Sequence, residues 1–114
     1  MEATRDGVAG LILRLGESSC VLDPADGRDY RLGCMPDCDL RLHNRAVSRA
    51  HATIVCGDDG FVFIDHSANG SYIQTEDRKV AFIRRAQVPL WGSGWIGLGE
   101  PLHPSTAIHF GHAS

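Results

Sequence analysis

Short apolar runs separated by turn-forming residues recur along the chain about every 8–12 residues, and this rhythm limits the possible folds. The segment 51–56 alternates as a half-buried strand requires, with Ala52, Ile54 and Cys56 on one face. The segment 57–60 (GDDG) is a tight hairpin signal, and the apolar run 61–64 after it predicts a central strand. No segment has the apolar stripe of an amphipathic helix. The sequence therefore predicts about ten or eleven short strands in an antiparallel sandwich or barrel.

A glycine-rich string near the C-terminus raises the alternative of a nucleotide site. Residues 92–97 (GSGWIG) match the dinucleotide-binding fingerprint as a string of letters. That fingerprint needs a strand before it and a helix after it, because the pyrophosphate sits on the helix N-terminus. The segment 95–98 instead has the character of a strand. We therefore predict that these glycines serve a hairpin turn and close strand packing.

The composition fits one globular domain and disfavours a nucleic-acid binder. The chain has 114 residues, 43% hydrophobic and 22% charged, with a formal net charge of −3, whereas binding to a phosphate backbone needs a basic face. The sequence shows no secretory signal and no apolar run that would span a membrane, so we expect a cytoplasmic protein with reduced thiols. We expect a flexible N-terminal segment over residues 1–9, the domain over residues 10–111, and a tail over residues 112–114.

Two combinations of residues leave a metal site or a hydrolase open as alternatives. Cys34 and Cys38 lack the Cys-x-x-Cys spacing of structural zinc sites, and no second pair completes four ligands. Ser48, His51 and Asp65 form a catalytic triad only on paper, because no nucleophile-elbow sequence surrounds the serine. We therefore expect no enzyme activity, no metal and no cofactor.

Two turns carry polar side chains that suit an anion or a peptide backbone. Ser48 offers a hydroxyl donor for a phosphate oxygen, and Asn69 offers both a donor and an acceptor. Gly70 permits a positive φ, with which the turn can present the Asn69 amide outward. Each residue alone could simply complete a local turn, but their order and spacing together indicate a peptide-reading site. The segment 28–49, which includes Ser48, contains five arginines that could form a local positive patch: Arg28, Arg31, Arg41, Arg45 and Arg49.

These motifs resemble those of the forkhead-associated (FHA) domain family. Residues 48–51 (SRAH) are similar to its Ser-Arg-x-His motif, and residues 65–71 (DHSANGS) are similar to its motif that ends in Ser-x-Asn-Gly-Thr. The resemblance covers residues 10–111, and the segment 82–99 looks most like FHA domains attached to bacterial adenylate/guanylate-cyclase-type signalling proteins. It implies an all-β fold, an eleven-stranded antiparallel β-sandwich of the SMAD/FHA type, that binds a phosphothreonine peptide with the loops at one end.

The resemblance also implies a role for each matching residue. Ser48 would bond the phosphate, and Arg49 would contact the phosphate or the peptide backbone. Asn69 would hold the peptide main chain beside the phosphothreonine. Ser67 and Ala68 would line the turn near the phosphothreonine methyl group. The positions with a structural role would be Gly33, His51, Asp65 and Gly70.

Two departures from the family pattern fall on the phosphate pocket. Cys34 stands where the family has an arginine, and a thiol is a poor donor without a fixed charge. The loss of one charge-assisted hydrogen bond would weaken binding about 10- to 150-fold. Ala68 stands where some members have a threonine that contacts the phosphate. Two interpretations remain open: weak phosphothreonine binding in which Arg49, Arg45 or Arg41 substitutes for the missing arginine, and a phosphate-independent interaction or oligomerisation domain.

Overall fold

The computed structural model describes residues 9–112, which form two β-sheets packed as a sandwich. The eleven strands are β1 Leu11–Leu15, β2 Ser18–Leu22, β3 Tyr30–Gly33, β4 Leu40–Arg41, β5 Ala52–Gly57, β6 Gly60–Asp65, β7 Ser71–Gln74, β8 Val80–Ile83, β9 Gln87–Leu90, β10 Gly94–Leu98 and β11 Ile108–His112. A single-turn 3-10 helix, Pro24–Asp26, follows β2. Within the described residues no helix is long and apolar enough to cross a membrane. The predicted eleven-stranded sandwich is confirmed.

The strands divide into a six-stranded sheet, in the order β2-β1-β11-β10-β7-β8, and a five-stranded sheet, in the order β4-β3-β5-β6-β9. One pair departs from the antiparallel pattern, because β3 and β4 run parallel. Parallel strands usually need a crossover of a dozen residues or more. Here the pairing is only two residues long, and the Asp39 N–H donates to the Arg31 carbonyl oxygen at 2.8 Å, so a short returning loop is enough.

Alternation along the central strands fills the space between the sheets. In β5, Ala52 and Ile54 are buried while the residues between them are half-buried. In β6, Phe61 and Phe63 are buried and alternate with half-buried neighbours, and this strand lies between β5 and β9 as its apolar character predicted. Phe110 of β11 is also fully buried in the same core. The burial of these large side chains is the main apolar contribution to folding.

The turns and strand ends mostly follow the sequence signals. The segment 57–60 forms the tight hairpin between β5 and β6, with Gly57 paired to Gly60. The last strand continues to His112, because its pairing with β1 extends to Leu11 opposite His112. The first residue of the predicted tail therefore belongs to β11. Residues 1–8 of the predicted flexible segment and residues 113–114 lie outside the described residues.

The glycine-rich string 92–97 packs strands, as predicted, and leads into a strand and not a helix. The predicted hairpin turn is wrong, because β9 and β10, which flank the turn, belong to different sheets. Gly94 begins β10, which pairs with β7 and β11. A Cβ atom at Gly94 would lie 1.9 Å from the Gln74 carbonyl oxygen and 2.9 Å from the Phe110 ring. A side chain therefore has no room at this point, because both neighbours belong to the core of the sheet.

We expect Gly94→Ala to destabilise the domain by about 1–3 kcal/mol, since it overpacks a strand contact that cannot relax. Gly57→Ala is the matched control, because a Cβ atom at Gly57 would meet nothing closer than 3.6 Å. That control should change the free energy of unfolding by less than about 0.5 kcal/mol. Urea denaturation of both variants measures the difference, and equal stabilities would contradict the packing argument.

Candidate functional site

Three segments meet at one end of the sandwich: the end of β3, the β4–β5 loop and the β6–β7 loop. The Cys34 N–H donates to the Ser48 carbonyl oxygen at 3.2 Å. The Ala68 N–H donates to Ser48 Oγ at 3.4 Å, and Asn69 Nδ2 donates to the Ala46 carbonyl oxygen at 3.1 Å. The structure thus brings together the Ser48 and Asn69 turns that the sequence places about twenty residues apart.

The close approach of β3 to the β4–β5 loop depends on Gly33. A Cβ atom at this position would lie 2.1 Å from the Arg49 carbonyl oxygen and 3.0 Å from the His51 backbone nitrogen. The loop backbone can approach this closely only because glycine has no side chain. Gly33 therefore permits this close packing, and the residue after it, Cys34, is held against the Ser48 turn.

The buried carboxylate of Asp65 organises the β6–β7 loop. Its side chain is fully buried. It accepts hydrogen bonds from the Ser67 N–H at 2.9 Å, the Ser67 hydroxyl at 3.0 Å, the Ser71 hydroxyl at 2.5 Å and the Arg85 N–H at 3.0 Å. Burial alone would raise the pKa of Asp65, but the hydrogen bonds from Ser71, Arg85 and Ser67 together lower it below its usual range. The carboxylate is therefore ionised and fixes the turn that begins at Ser67.

His51 connects the two loops as a neutral imidazole. Its Nδ1 accepts a hydrogen bond from the Ser48 N–H at 3.0 Å, so the proton lies on Nε2, which donates to the Gly70 carbonyl oxygen at 2.8 Å. Burial lowers the pKa of His51, whereas the Gly70 hydrogen bond and the Asp65 charge raise it. The effect of burial is larger, so the pKa lies below its usual value. The separation of 3.6 Å between His51 Nε2 and Asp65 Oδ2 is thus a contact between a neutral ring and a carboxylate.

The side chains expected to bind a phosphopeptide divide into two groups. Arg49, Ala68 and Asn69 are exposed, and Ser48 is half-buried, so all four can meet a ligand. Ser67 does not lie where we expected it. Ser67 is only 1% exposed, and its hydroxyl donates to Asp65 and accepts from the Gly70 N–H at 2.7 Å. Ser67 therefore belongs to the frame of the loop, because its hydrogen-bonding capacity is used below the surface.

Positive charge collects at this end of the molecule. Arg28 and Arg31 are paired with Asp39 and Asp37 respectively. The remaining three arginines of the segment 28–49 have no ion-pair partner among the described residues: Arg41, Arg45 and Arg49. These three exposed guanidinium groups can attract an anion, since each keeps unused donors.

Arg41 lies beside the position where the family's arginine is missing. The parallel register places Arg41 next to Gly33. Its Nε donates to the Cys34 carbonyl oxygen at 3.0 Å, which leaves the two terminal nitrogens of the guanidinium group for other partners. Cys34 itself is half-buried and packs against the core. An exposed guanidinium group from β4 therefore lies beside the Cys34 backbone.

Sequence reasoning missed the residues that shape the first half of the β4–β5 loop. Asn44 Oδ1 accepts a hydrogen bond from the Ala46 N–H at 2.8 Å, and Asn44 Nδ2 donates to Glu100. Gly99 lies against this turn, since its Cβ atom would be 2.0 Å from the Ala46 carbonyl oxygen. Asn44 gave a local signal, because asparagine commonly binds the backbone two residues ahead. Its distant contacts could not be read from the chain.

The hydrogen bonds of His51 argue against the hydrolase alternative. It is the Ser48 N–H, not its hydroxyl, that contacts His51, and both ring nitrogens are occupied by backbone groups. A nucleophile and its base must share a hydrogen bond, which is absent here between residues that the structure describes. Cys38 Sγ contacts the Arg49 carbonyl oxygen at 3.5 Å. No group of three or more metal-ligating side chains occurs within residues 9–112.

The buried His51 makes stability depend on pH in a defined window. Its folded-state pKa is lowered, so the unfolded chain, in which histidine titrates near about 6.5, binds a proton more readily. The contribution of His51 to the free energy of unfolding is fully present above about pH 6.5. It falls by up to about 1.4 kcal/mol per pH unit below that value. The lowered pKa of Asp65 adds a loss of stability only below about pH 4.

Urea denaturation at several pH values measures how the free energy of unfolding changes with pH. His51→Gln should remove most of the loss between pH 7 and 5, whereas the exposed control His43→Gln should retain it.

Comparison with known proteins identifies the family. Residues 27–87 match the FHA domain, and they contain β3 to β8 and both loops of the site. No curated protein matches the chain. The fold is similar to FHA-1 of Mycobacterium tuberculosis Rv1747, with a TM-score of 0.75 and 24% sequence identity over 95% of this chain and 100% of that chain.

Two further solved structures have a similar fold. The FHA domain of CT664 from Chlamydia trachomatis has a TM-score of 0.72 and 23% identity over 93% of this chain and 100% of that one. The N-terminal FHA domain of S. cerevisiae Rad53p, solved with a phosphothreonine peptide, has a TM-score of 0.65 and 20% identity over 93% of this chain and 94% of that one. The matched segment spans more than half of the sequence and includes Gly33, Ser48, His51, Asp65 and Asn69, and the chain belongs to the FHA domain family.

Proposed function

We propose that this domain binds a phosphothreonine-containing segment of another protein with the loops that meet at Ser48 and Asn69. The observation that carries the proposal is the arrangement of free donors around a rigid frame. The Ser48 hydroxyl has no acceptor among the described residues, and the Asn69 side chain is exposed. The Rad53p FHA domain, which was solved with a phosphothreonine peptide, has the same fold.

Each binding side chain has a distinct chemical task in this proposal. The Ser48 hydroxyl and the Arg49 guanidinium donate to phosphate oxygens, and charge-assisted hydrogen bonds of this kind are the stronger ones. The Asn69 amide bonds the peptide main chain beside the phosphothreonine. Ala68 lies at the exposed tip between the two binding residues, where its methyl group can contact the methyl group of phosphothreonine. Exposed Arg45 adds long-range attraction for the anion.

In this proposal, Arg41 supplies the positive charge of the pocket. In the family pattern that charge comes from an arginine at the position of Cys34. The hydrogen bond from Arg41 Nε to the Cys34 carbonyl oxygen supports this assignment, because it restrains the guanidinium group beside the pocket. Restraint lowers the entropy lost when the side chain orders around a phosphate. The pocket thus keeps a cation although the residue at the usual position has none.

A phosphate-independent interaction or oligomerisation domain is the second candidate. One observation favours it: Asn69 Nδ2 already donates to the Ala46 carbonyl oxygen, so one of its donors is used inside the protein. Together with the uncharged Cys34, this leaves fewer donors for a phosphate than the family pattern supplies. In this alternative the same loops contact an unmodified segment.

The broader setting of the domain also stays a prediction. We propose a non-catalytic role in a cytoplasmic bacterial signalling protein, possessing no cofactor and binding neither nucleic acid nor membrane. The net charge of −3 supports a protein partner over a nucleic acid. Attachment to an adenylate-cyclase-type protein is the expectation from the resemblance of segment 82–99.

A phosphothreonine peptide library and its unphosphorylated twin distinguish the two candidates. We expect a preference for the phosphorylated peptides of at least about 10-fold at low salt, because the added charge meets unpaired arginines. Ser48→Ala should reduce this preference, whereas Ser18→Ala, an exposed serine of β2, should leave it unchanged. Fluorescence anisotropy measures the affinities. Equal binding of both libraries would reject the phosphate reader and favour the second candidate.

Substitutions at Arg41 and Cys34 test how the pocket obtains its charge. Arg41→Gln should weaken phosphopeptide binding about 10-fold, since it removes one charged donor. Arg14→Gln in β1 is the matched control, because it makes the same change of charge at an exposed site on another sheet. Cys34→Arg should strengthen binding, and its gain should be larger in the Arg41→Gln background. Additive effects measured by calorimetry would mean that the two positions do not serve the same phosphate.

A further inference from the structure

The sandwich has four edge strands, and β8 differs from the other three in what it exposes. β9 contains Pro89, which has no N–H to donate, β4 has only two residues, and β2 opens with two exposed serines. Such features protect an edge from the addition of a foreign strand. β8 has none of them, since its sequence is VAFI and Val80, Ala81 and Phe82 are all exposed. β8 is therefore the edge strand that is most open to pairing with another strand.

The backbone of β8 offers unpaired hydrogen-bonding groups along its outer side. The Thr75 N–H donates to the Lys79 carbonyl oxygen at 3.2 Å, which makes these two a hydrogen-bonded pair. Hydrogen-bonded and non-hydrogen-bonded pairs alternate along antiparallel strands. In this register Val80 and Phe82 occupy the non-hydrogen-bonded positions, so their N–H and C=O groups point away from β7. An added strand would find two donors and two acceptors there.

Apolar side chains accompany these backbone groups. Val80 and Phe82 are each 52% exposed. The Phe82 ring lies 5.0 Å from the Tyr72 ring between centroids, and Trp95 continues the exposed apolar surface in the same sheet. The alternate side chains of an added strand could pack on this surface, because successive residues of a strand point to opposite faces. The edge thus offers both backbone pairing and apolar burial.

The charges that flank β8 determine what can occupy it. Lys79 precedes the strand and Arg84 and Arg85 follow it, all exposed and without an ion pair among the described residues. The turn before the strand also exposes Arg78 and two carboxylates: Asp77 accepts from Thr75 Oγ1 and the Lys79 N–H, and Glu76 accepts from the Ser93 N–H. These carboxylates balance the two cations of the turn, so the excess of positive charge lies at Arg84 and Arg85. A second copy that paired its own β8 in antiparallel register would place cations opposite cations, which is unfavourable. A segment with carboxylates is complementary.

We propose that β8 is a docking edge for an extended protein segment with an apolar centre and with carboxylate side chains that meet the two arginines after β8. The segment adds to the six-stranded sheet as a seventh strand, with its backbone paired to Val80 and Phe82. The Phe82 ring also covers Gly70, where a Cβ atom would lie 2.4 Å from the ring. The docking edge is therefore continuous with the loop that carries Asn69, although its hydrogen bonds use separate groups.

A synthetic peptide with three alternating valines between paired aspartates tests this proposal by NMR titration of the whole chain. We expect it to shift the amide signals of residues 80–83 and to slow hydrogen exchange at Val80 and Phe82. A second peptide, N-methylated at the amides that would face β8, should bind at least about 10-fold more weakly, since it cannot complete the strand pairing. A third, with lysine for aspartate, should also bind more weakly.

Matched variants separate this edge from other surfaces. Val80→Lys and Arg84→Glu should each weaken peptide binding about 10-fold. Val21→Lys changes a valine that is 59% exposed on β2, the other edge of the same sheet, and should leave binding unchanged. Ser48→Ala should also leave it unchanged, because the phosphate loop is not required.

Several outcomes would overturn the proposal. Undiminished binding of the N-methylated peptide would exclude strand addition, and an equal loss in Val21→Lys would exclude β8 as its place. If the amide signals of residues 80–83 shift only with protein concentration, the strand that pairs with β8 is a second copy of this chain. Binding of residues 80–83 to phosphatidylserine vesicles, with no response to the peptide, would make the surface a lipid site. An absence of any peptide-induced shift at millimolar concentration would also reject it.

Discussion

The fold of the binding end depends on satisfying one buried negative charge. An ionised carboxylate away from water is tolerated only when it is fully hydrogen-bonded, and Asp65 obtains its donors from Ser67, Ser71 and the backbone of Arg85. These donors come from the β6–β7 loop, from the start of β7 and from the turn before β9. One side chain therefore fixes three pieces of backbone, and the loop that presents Asn69 has little freedom to move.

The neutral ring of His51 extends this frame across to the second loop. Because its two nitrogens bind the Ser48 N–H and the Gly70 carbonyl oxygen, the two binding turns keep a fixed separation. The Gly99 N–H also donates to the Gly70 carbonyl oxygen at 2.8 Å, which ties the same turn to the end of β10. The residues that hold the site are buried, and those that can meet a ligand are exposed. A site prepared in this way loses little entropy on binding.

The sequence could predict what depends on local pattern, and it failed where distant contacts decide. Strand number, the GDDG hairpin and the central position of 61–64 follow from periodicity and turn chemistry, and the structure confirms them. The parallel pairing of β3 with β4 did not follow, because two residues carry no signal of direction. Burial of Ser67 was equally hidden, since a serine in a turn is polar whether it faces solvent or Asp65. The place of Arg41 beside Cys34 also required the pairing of strands that no local pattern reveals.

The separation of frame from binding surface explains how Cys34 can occur in an otherwise intact domain. Its backbone N–H donates to the Ser48 carbonyl oxygen, a bond that any residue with an N–H can make, while its half-buried side chain packs against the core. The Arg41 guanidinium group beside Cys34 is held by a bond to the Cys34 carbonyl oxygen and contacts neither Asp65 nor His51 in the hydrogen bonds of the described residues. The same logic applies to β8, whose exposed residues lie outside the buried frame. Changes at either surface can therefore alter partner choice while the sandwich remains folded.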